Sequence, residues 1–390
     1  MMEQVGEINQ QFDAETITPL ARLASGREDL RLDGWQVQLV SGGVEQGSKI
    51  QRISGGGDVE GKSFPWSLIL KTITSGPANS ASPQASHYWK REPNYYRSGL
   101  LDDLPAGLRA PRCFACIEHP GSFQLFLEEL HDACNGPGPD HGWPFEYYRT
   151  AARCLGQFNG AYLAGRPIPQ AEWIPRQWLG TYLEEAAPNM DLFFRSLDHP
   201  MIRRCLGSIS PEVIRQAWDQ RHEILGALEQ LPQVFCHQDA FCRNLYSETG
   251  PGGERLAAVD WSYAGPGALG SELAPLVSAS MGLGTIPIAE GDTLARLALE
   301  GYLEGLGQAG WHGNPDLVRF GFSASCFWRY PIGAQIGEFA QYMVNEAYYP
   351  FIEQKFGVSV EQMADFTAQW MAWSSPYYEE TLRLKKALKL

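Results

Sequence analysis

The first third of the chain alternates apolar and polar residues with a period of two, which is typical of β-strands. Three such runs, WQVQLVSGG, SKIQRISGGG and PWSLILKTI, are separated by glycine clusters. A later segment, APRCFACIEHPGSFQLFLEEL, predicts a hairpin that turns at residues 119–122. The pattern therefore predicts a small, mostly antiparallel sheet in this part of the chain.

The apolar spacing becomes helical outside that sheet. ASHYWKREPNYYRSGLLDDL predicts one helix, which Pro93 should begin or kink. From about residue 145 the helical period continues through FEYYRTAARCLGQFNGAYLAG, PEVIRQAWDQRHEILGALEQL, DTLARLALEGYLEGL and an aromatic-rich tail over residues 316–390. The predicted fold class is therefore α+β, with a small antiparallel-sheet lobe followed by a larger, mainly helical lobe.

The length of 390 residues exceeds a usual single core and suggests one large domain or two lobes that share a cleft. The sequence contains no internal repeat, low-complexity tract or Pro/Ser linker that would mark a boundary. We place the hinge between the lobes near residues 130–138. Residues 1–130 are then expected to form the first lobe, and residues 131–390 the second.

The composition is that of a globular protein, with 44% apolar and 19% charged residues. No uninterrupted apolar run reaches the roughly 18 residues that a membrane span needs, so we expect no membrane partner. The opening residues, MMEQVGEINQQFDAE, have neither a basic region nor an apolar core typical of a signal peptide. A cytoplasmic location is therefore expected.

The net charge of −14 argues against a nucleic-acid partner, because such a surface needs clustered Lys and Arg. The same charge favours a cationic substrate. Eight cysteines are spread from Cys113 to Cys326, which is not the dense pattern of a disulfide scaffold. The single CxxC, Cys113 to Cys116, lacks a second pair at zinc spacing and is interpreted as strand.

A short polar stretch, HQDAFCRNLY, directly follows the apolar run LPQVFC, and a second strand-like run, ERLAAVD, ends on Asp260. If these two runs formed a hairpin, Asp239, Asn244 and Asp260 would lie at one end of it. Mg²⁺ prefers carboxylate and amide oxygens, and it usually takes one or two protein ligands beside a substrate's phosphates. Asn244 and Asp260 are such a pair, which leaves Asp239 to accept a proton from an attacking hydroxyl.

This order, H-x-D-x-x-x-x-N followed by an aspartate that closes the next strand, resembles the catalytic half of the protein-kinase-like fold. Within that fold, VDWSYAGPGALGSELAPL resembles the Asp-Trp segment of the aminoglycoside phosphotransferase and choline kinase group, where a protein kinase has Asp-Phe-Gly. The resemblance spans roughly residues 34–277 and is strongest over residues 235–277.

The resemblance implies a nucleotide site in the first lobe. LVSGGVEQGSKI resembles the loop that covers the phosphates, with Gly42, Gly43 and Gly47. Lys71 is implied to hold the α and β phosphates of ATP, with Glu92 on the following helix as its partner. LFLEELH resembles the interlobe hinge. The backbone groups implied to pair with the adenine edge are those of Glu128, Glu129 and Leu130.

In the second lobe, the resemblance implies that Asn244 and Asp260 bind Mg²⁺ and that Asp239 orients and deprotonates the acceptor hydroxyl. The implied function is an ATP- and Mg-dependent phosphotransferase. It would move the γ-phosphate to a hydroxyl of a small molecule, aminoglycoside-like, choline-like or another metabolite. The alternative is a catalytically silent kinase-like module that binds a nucleotide or metabolite. The enzyme is favoured because the chain retains the lysine, the base and both metal ligands.

Four departures from the protein-kinase pattern qualify the resemblance. The loop SGGVEQG lacks the G-x-G-x-x-G spacing, so a plain hairpin turn stays an alternative for it. Pro93 follows Glu92 and should disturb the helix that carries it. Phe241 stands where Ser/Thr protein kinases carry a lysine, and no Ala-Pro-Glu follows Asp260. A protein kinase is therefore disfavoured.

A competing motif occupies residues 265–270, where GPGALG is a literal G-x-G-x-x-G with Glu290 further along the chain. The first glycine does not directly follow its strand, Pro266 stiffens the turn, and no second parallel strand is apparent after it. We therefore interpret these glycines as a tight connection before a helix, SELAPLVSAS, and not as a dinucleotide site.

The remaining candidates have structural interpretations. His237 is expected to orient the loop that contains Asp239, and Trp261 is expected in the core. Arg243 is open between a surface charge and a phosphate clamp. Four aromatic residues of the tail are expected in the core, with the wall of an acceptor cleft as the alternative: Trp328, Tyr330, Phe339 and Tyr342.

Overall fold

The computed structural model describes residues 12–43, 47–76, 80–131, 143–250 and 253–390. Five strands of its N-terminal part form one antiparallel sheet in the order β1-β2-β3-β6-β5. The ten strands are β1 Arg31–Gly43, β2 Ser48–Val59, β3 Lys62–Thr74, β4 Leu108–Arg109, β5 Cys113–His119, β6 Ser122–Glu128, β7 Gln233–Cys236, β8 Leu245–Gly250, β9 Gly253–Ala258 and β10 Gly265–Ala268.

The larger part of the chain is helical, and no helix within the described ranges is long and apolar enough to span a membrane. The helices are α1 Ala14–Ser25, α2 Arg91–Ser98, α3 Phe145–Leu163, α4 Trp178–Arg195, α5 Pro200–Leu206, α6 Pro211–Asp219, α7 Arg221–Gln230, α8 Ser280–Gly282, α9 Gly291–Gln308, α10 Pro315–Phe327, α11 Ala340–Met343, α12 Tyr349–Phe356 and α13 Val360–Leu388. Pro275–Ala279 and Trp328–Glu338 are π-helical, and three short 3₁₀ turns are Trp261–Tyr263, Ile288–Glu290 and Glu346–Tyr348. The predicted α+β fold class is confirmed.

One face of the N-terminal sheet is covered by α1, which the sequence pattern did not predict. Ile17 and Leu20 of this helix pack against Leu68 and Leu70 of β3. Because side chains alternate across a strand, Lys71 lies on the opposite face, which is the face turned away from α1. The sheet therefore has a buried outer face and an inner face that is available for a site.

The helical part contains two small sheets whose pairing differs from the predicted one. The strand that leads to Asp260 is β9, and it pairs with β8 in a hairpin and with β4 in parallel, not with β7. The reason is that β8 begins at Leu245, directly after Asn244, and is therefore the nearest partner for β9 along the chain. The partner of β7 is β10, in an antiparallel pair.

The first four residues of the glycine-rich segment GPGALG form the strand β10, and its last two form the turn that follows. At Gly267, an added Cβ would lie 2.6 Å from Gln238 Nε2 and 2.8 Å from Cys236 Sγ, so a larger residue would displace the side chains that pack there. A dinucleotide fingerprint joins parallel strands, whereas β10 and β7 are antiparallel. The pairing therefore agrees with the rejection of the dinucleotide site.

Gly270 ends this segment in a left-handed conformation, close to the backbone of Val318. Its φ is +92°, and an added Cβ would lie 2.2 Å from Val318 O. We expect Gly270→Ala to lower the free energy of unfolding by about 2–4 kcal/mol, from left-handed strain and overpacking together. Gly226→Ala is the matched control, because Gly226 lies inside α7 with open space around its Cα. That variant should gain about 0.5–1 kcal/mol. Urea unfolding of both compares them, and equal stabilities would contradict the expectation.

Candidate active site

Lys71 is held on the inner face of the sheet by two carboxylates. Its Nζ lies 2.6 Å from Glu92 Oε2 and 3.1 Å from Asp260 Oδ1, and its side chain is only 9% exposed. Burial acts to lower the pKa of Lys71, but the two carboxylates outweigh it and hold that pKa above its ordinary value. Lys71 is therefore a fixed positive charge that joins the sheet to the segment after β9.

Glu92 reaches Lys71 although a proline follows it. The helix α2 begins at Arg91, so Pro93 lies in its first turn, where backbone N–H groups have no partner within the helix. The proline therefore costs the helix no hydrogen bond. Pro93 lies at the beginning of the helix, and the disturbance that we expected from it is absent.

His237 connects the loop after β7 to the end of β9. Its Nδ1 accepts a hydrogen bond from Asp239 N at 3.2 Å, and its Nε2 donates to Val259 O at 3.0 Å. Burial lowers the pKa of His237 to about 4, so the ring is neutral at pH 7. Both ring nitrogens are engaged by the backbone, which is the geometry of an orienting residue and not of a base.

Asp239 and Asn244 face each other across this loop. Asn244 Nδ2 donates to Asp239 Oδ2 at 2.9 Å and to Asp239 O at 3.0 Å. Burial raises the pKa of Asp239 to about 7, although a neighbouring arginine acts in the opposite direction. A carboxylate with a pKa near neutrality is well suited to accept a proton from a substrate hydroxyl.

Asp260 lies next to Asn244, because Val259 N donates to Asn244 O at 2.9 Å. The backbone of Asp260 is left-handed, with φ +64°, and Asp260 Oδ1 accepts a hydrogen bond from Ser262 Oγ at 2.8 Å. Burial acts to raise the pKa of Asp260, but Lys71 and Ser262 lower it below its ordinary value. Asp260 is therefore an ionised carboxylate beside an amide.

These two side chains fit a hard divalent cation. The Nδ2 of Asn244 is directed at Asp239, so its carbonyl oxygen points away from that residue, and Asp260 contributes a carboxylate. Within the described ranges, no cluster of three or more His, Cys, Asp or Glu side chains could form a protein-only metal cage. The donor set matches a cation that is shared with a phosphate-bearing substrate.

Two residues that hold the Asp239 loop were missed in the sequence. Glu272 accepts hydrogen bonds from His237 N at 2.7 Å and from Gln238 N at 3.0 Å. Arg329 donates to Gln238 O and, through Nη2, to Asp239 Oδ1 at 3.3 Å. Each is a lone charged residue within an apolar run, LGSELAPLV and CFWRYPIG, and that contrast is the signal that could have identified them.

The glycine loop lies where β1 turns into β2. Gly42 and Gly43 end β1, and Gly47 precedes β2, while residues 44–46 lie outside the described ranges. Gly42 has φ +85°, and an added Cβ would lie 2.2 Å from Ser48 O, so this position requires glycine. Lys71 pairs in register with Ile50 of β2, near the start of that strand, so the loop is at the same end of the sheet as Lys71.

The residues assigned to the hinge are linked to arginines. Glu128 N donates to Arg112 O at 2.9 Å, and the Glu128 carboxylate binds Arg109. The Glu129 carboxylate accepts from Arg52 Nε at 2.8 and 2.9 Å. Leu130 follows β6, and most of the predicted hinge beyond it lies outside the described residues. The backbone N–H of Glu128 is thus already engaged.

A cleft of about 490 Å³ lies between α4 and the segment over residues 337–356. Aromatic rings line it together with Glu185 and Glu338, whose carboxylates accept hydrogen bonds from Ser86 and from Tyr182 respectively. The four tail aromatics divide between two environments. Trp328 and Tyr330 are buried in the core, whereas Phe339 and Tyr342 line this cleft.

A row of aromatic rings connects this cleft to the Asp239 loop. The Arg329 guanidinium lies 4.4 Å from the ring centre of Trp178, which stacks on Tyr182 at 5.0 Å and contacts Tyr263 at 5.0 Å. Tyr182 lines the cleft, and its hydroxyl donates to Glu338 at 2.5 Å. Trp178, Tyr182 and Arg329 are buried, so this row of packed side chains links the wall of the cleft to the Asp239 loop through the interior.

The other residues named from the sequence have simpler positions. Trp261 is fully buried, as expected. Arg243 is exposed. Cys113 and Cys116 lie in β5 as free thiols, in agreement with their interpretation as strand residues.

The family assignment follows from comparison with protein-family models. The model described as the phosphotransferase enzyme family matches residues 102–313, which include Asp239, Asn244 and Asp260. The chain belongs to this family. Membership agrees with the protein-kinase-like fold and with the group that the sequence resembles. In this member of the phosphotransferase enzyme family, Lys71 and Glu92 precede the matched range and Arg329 follows it.

Solved structures show similarity over most of this phosphotransferase-family chain. An amicoumacin kinase in complex with AMP-PNP and Ca²⁺ is 14% identical, with a TM-score of 0.46, over 95% of this chain and 94% of that chain. A Plasmodium vivax ethanolamine kinase is 11% identical, with a TM-score of 0.46, over 89% and 84%. A microcompartment-associated aminopropanol kinase is 12% identical, with a TM-score of 0.46, over 95% and 99%. A search among curated proteins finds no match.

Proposed function

We propose that the chain is an ATP- and Mg²⁺-dependent phosphotransferase that moves the γ-phosphate of ATP to a hydroxyl group of a small molecule. The observation that carries the proposal is the contact of Lys71 with both Glu92 and Asp260, directly beside the loop that pairs Asp239 with Asn244. Phosphoryl transfer needs positioning and charge neutralisation more than covalent chemistry, and these residues supply both.

The nucleotide would bind between two lobes that divide near residue 130, with the glycine loop over its phosphates. Lys71 would contact the α and β phosphates. Ile50 and Ile69 are half-buried on the inner face of the sheet and would contact the adenine ring. The backbone of Glu129 and Leu130 would face the adenine edge.

The transfer itself would depend on three side chains of the second lobe. Asn244 and Asp260 would hold Mg²⁺, which neutralises phosphate charge when it is bound. Asp239 would accept the proton of the acceptor hydroxyl while the new O–P bond forms, the bond between the γ-phosphorus and the bridging oxygen breaks, and ADP leaves. This part of the proposal needs no covalent phosphoenzyme.

The acceptor would bind in the 490 Å³ cleft, and we propose that it carries an amine or other cationic group. Aromatic faces attract cations, and the carboxylates of Glu185 and Glu338 add negative charge at the same place. The acidic balance of the chain acts in the same direction. A hydroxyl of that molecule would be presented to Asp239, whose loop is joined to the wall of this cleft by the buried row from Tyr182 to Trp178.

Binding of Mg-ATP should stabilise the protein measurably. At about 100 times its dissociation constant, a ligand adds roughly 2.7 kcal/mol to the free energy of unfolding. The melting temperature with millimolar Mg-ATP, Mg-GTP, their non-hydrolysable analogues and NADH measures this effect and also compares the nucleotides. If no form of ATP or GTP raises the melting temperature, the nucleotide site is contradicted. A larger rise with NADH would restore the dinucleotide alternative.

A turnover assay separates the enzyme from a silent binding module. Mg-ATP is incubated with a panel of amino alcohols, aminoglycosides and neutral and anionic alcohols, and ADP release is compared with the reaction that lacks an acceptor. The proposal expects one or more cationic alcohols to raise ADP release. Binding of Mg-ATP without turnover on any acceptor would favour the silent module, and transfer of radiolabelled phosphate to protein would favour a protein kinase.

A further inference from the structure

Arg329 is a buried cation beside Asp239 to which the proposed reaction gives no role. It lies in the π-helical segment Trp328–Glu338, and its side chain is 8% exposed. π-Helical turns are rare and occur frequently at functional sites. A guanidinium is almost never buried without partners, so the groups that it contacts indicate why it is there.

Both edges of the Arg329 guanidinium contact the loop after β7. Nη1 donates to Gln238 O, and Nη2 donates to Asp239 Oδ1 at 3.3 Å. Its flat face is 4.4 Å from the ring centre of Trp178, which fixes the plane of the group. A planar fork of donors that is stacked on an aromatic ring has little freedom to rotate, so the direction of the Asp239 carboxylate is fixed with it.

The same arginine holds one side of a strained peptide. Gln238 has φ +66°, a left-handed conformation that costs free energy in a residue other than glycine. Glu272 binds the N–H groups of His237 and Gln238, and Arg329 binds the carbonyl of Gln238. The carboxyl group of Glu272 and the guanidinium of Arg329 therefore hold this residue from two sides, directly before Asp239.

We propose that Arg329 is a positioning residue for Asp239. It fixes both the direction of the carboxylate and the conformation of the peptide that precedes it, and it does so from a helix 90 residues further along the chain. This role rests on the proposed function, in which Asp239 accepts the proton of the acceptor hydroxyl. Arg329 is not a catalytic residue, since its donors are directed at the protein.

Arg221 provides a matched control for this role. Its guanidinium lies 4.1 Å from the ring centre of Trp218, Nη1 donates to Trp218 O at 3.0 Å, and Nε donates to Glu184 at 3.4 Å. Arg221 therefore has the same three kinds of contact as Arg329, an indole face, a carbonyl and a carboxylate, and none of these three is with the loop after β7. Arg221→Met removes them and leaves the contacts of Asp239 in place.

The test compares Arg329→Met, Arg329→Lys and Arg221→Met with the wild-type protein. Loss of correct positioning costs about 100-fold in rate, so kcat of Arg329→Met should fall by about that factor, while its Kd for Mg-ATP changes by less than about threefold. Arg329→Lys keeps the charge but has a single donor group, and its kcat should lie between those of Arg329→Met and the wild type. Arg221→Met should keep the wild-type kcat.

Hydrogen exchange gives a second readout that needs no acceptor. The amides of residues 236–246 should exchange at least about tenfold faster in Arg329→Met than in the wild type, and at the wild-type rate in Arg221→Met. If Arg329→Met does not fold, Arg329→Lys supplies both measurements.

The outcomes separate this inference from the proposed function. Unchanged exchange over residues 236–246 in both Arg329 variants would overturn the positioning role, even if the wild type transfers phosphate. A raised KM for the acceptor with an unchanged kcat would overturn it as well, because Arg329 would then bind the acceptor instead. If the wild type transfers phosphate to no acceptor, the proposed function fails, and faster exchange in Arg329→Met still supports the control of this loop by Arg329.

Discussion

Replacement of Asp239 by asparagine is expected to lower kcat by about 10²–10⁴-fold while the affinity for Mg-ATP stays near that of the wild type. Asparagine keeps the size of the side chain and can still accept the hydrogen bond from Asn244, but it has no basic oxygen to take the acceptor's proton. The groups that hold Lys71 are Glu92 and Asp260, so the nucleotide site is left intact. Calorimetric titration with Mg-ATP and steady-state turnover with the best acceptor of the panel measure the two quantities separately.

Asp365→Asn is the control for this substitution. The Asp365 carboxylate also binds an arginine, at 2.6 and 2.7 Å from Arg204, but it lies on the surface. Both of its measured parameters should match the wild type. Near wild-type turnover by Asp239→Asn would show that the proton goes elsewhere. An equal loss of Mg-ATP affinity would show that Asp239 acts on the nucleotide and not on the acceptor.

The central part of the candidate site was predictable because its residues are close together in the sequence. Asp239 and Asn244 share one loop, and Asp260 ends the next hairpin, so a local pattern was sufficient to select them. Lys71 and Glu92 lie far from this loop, and they were selected only through resemblance to a known order of motifs. Chemistry alone could not have paired them, since spacing in the sequence carries no information about contacts between distant parts of the chain.

The strand pairings around this loop show where such local reasoning fails. The apolar run VFC was correctly predicted as a strand, but its partner GPGA has no strand-like side chains. At Gly267 the absence of a side chain leaves room for the side chains of Cys236 and Gln238, and that is a property of the packed structure. The prediction therefore gave β7 to the wrong partner, although Asp239 and Asn244 do lie together after its end.

The helix α1 was missed for a different reason. Its sequence, AETITPLARLAS, contains β-branched residues and Pro19, all of which weaken a helical pattern. The ends of the helix were informative, because Asp13 accepts from Thr16 N at 2.8 Å and Gly26 closes the helix with φ +68°. The contacts of Arg329 could not be predicted from local signals of this kind, because they join residues that are 90 positions apart.

Replacement of Asp260 is expected to have an effect of a different kind from that at Asp239. Asp260→Asn is preferred to alanine, because asparagine tolerates the left-handed φ of +64° and so preserves the turn. The variant loses the negative charge that would bind Mg²⁺ and that helps to hold Lys71. Metal-based neutralisation of phosphate charge contributes several kcal/mol to such reactions, so kcat/KM should fall by at least about 10³-fold. Mg-ATP affinity should fall with it.

Titration of ATP into each variant, once in the presence of Mg²⁺ and once in the presence of a chelator, separates the loss of the metal site from a general loss of ATP binding. Wild-type affinity for ATP should depend strongly on Mg²⁺, whereas Asp260→Asn should bind ATP with nearly the same affinity in both conditions. Ser262→Ala is the matched control, because it removes the hydrogen bond at 2.8 Å to the same carboxylate but leaves the charge in place. That variant should keep the Mg²⁺ dependence. If Asp260→Asn retains it as well, the metal is held elsewhere, and the pairing of Asp260 with Asn244 as its ligands is wrong.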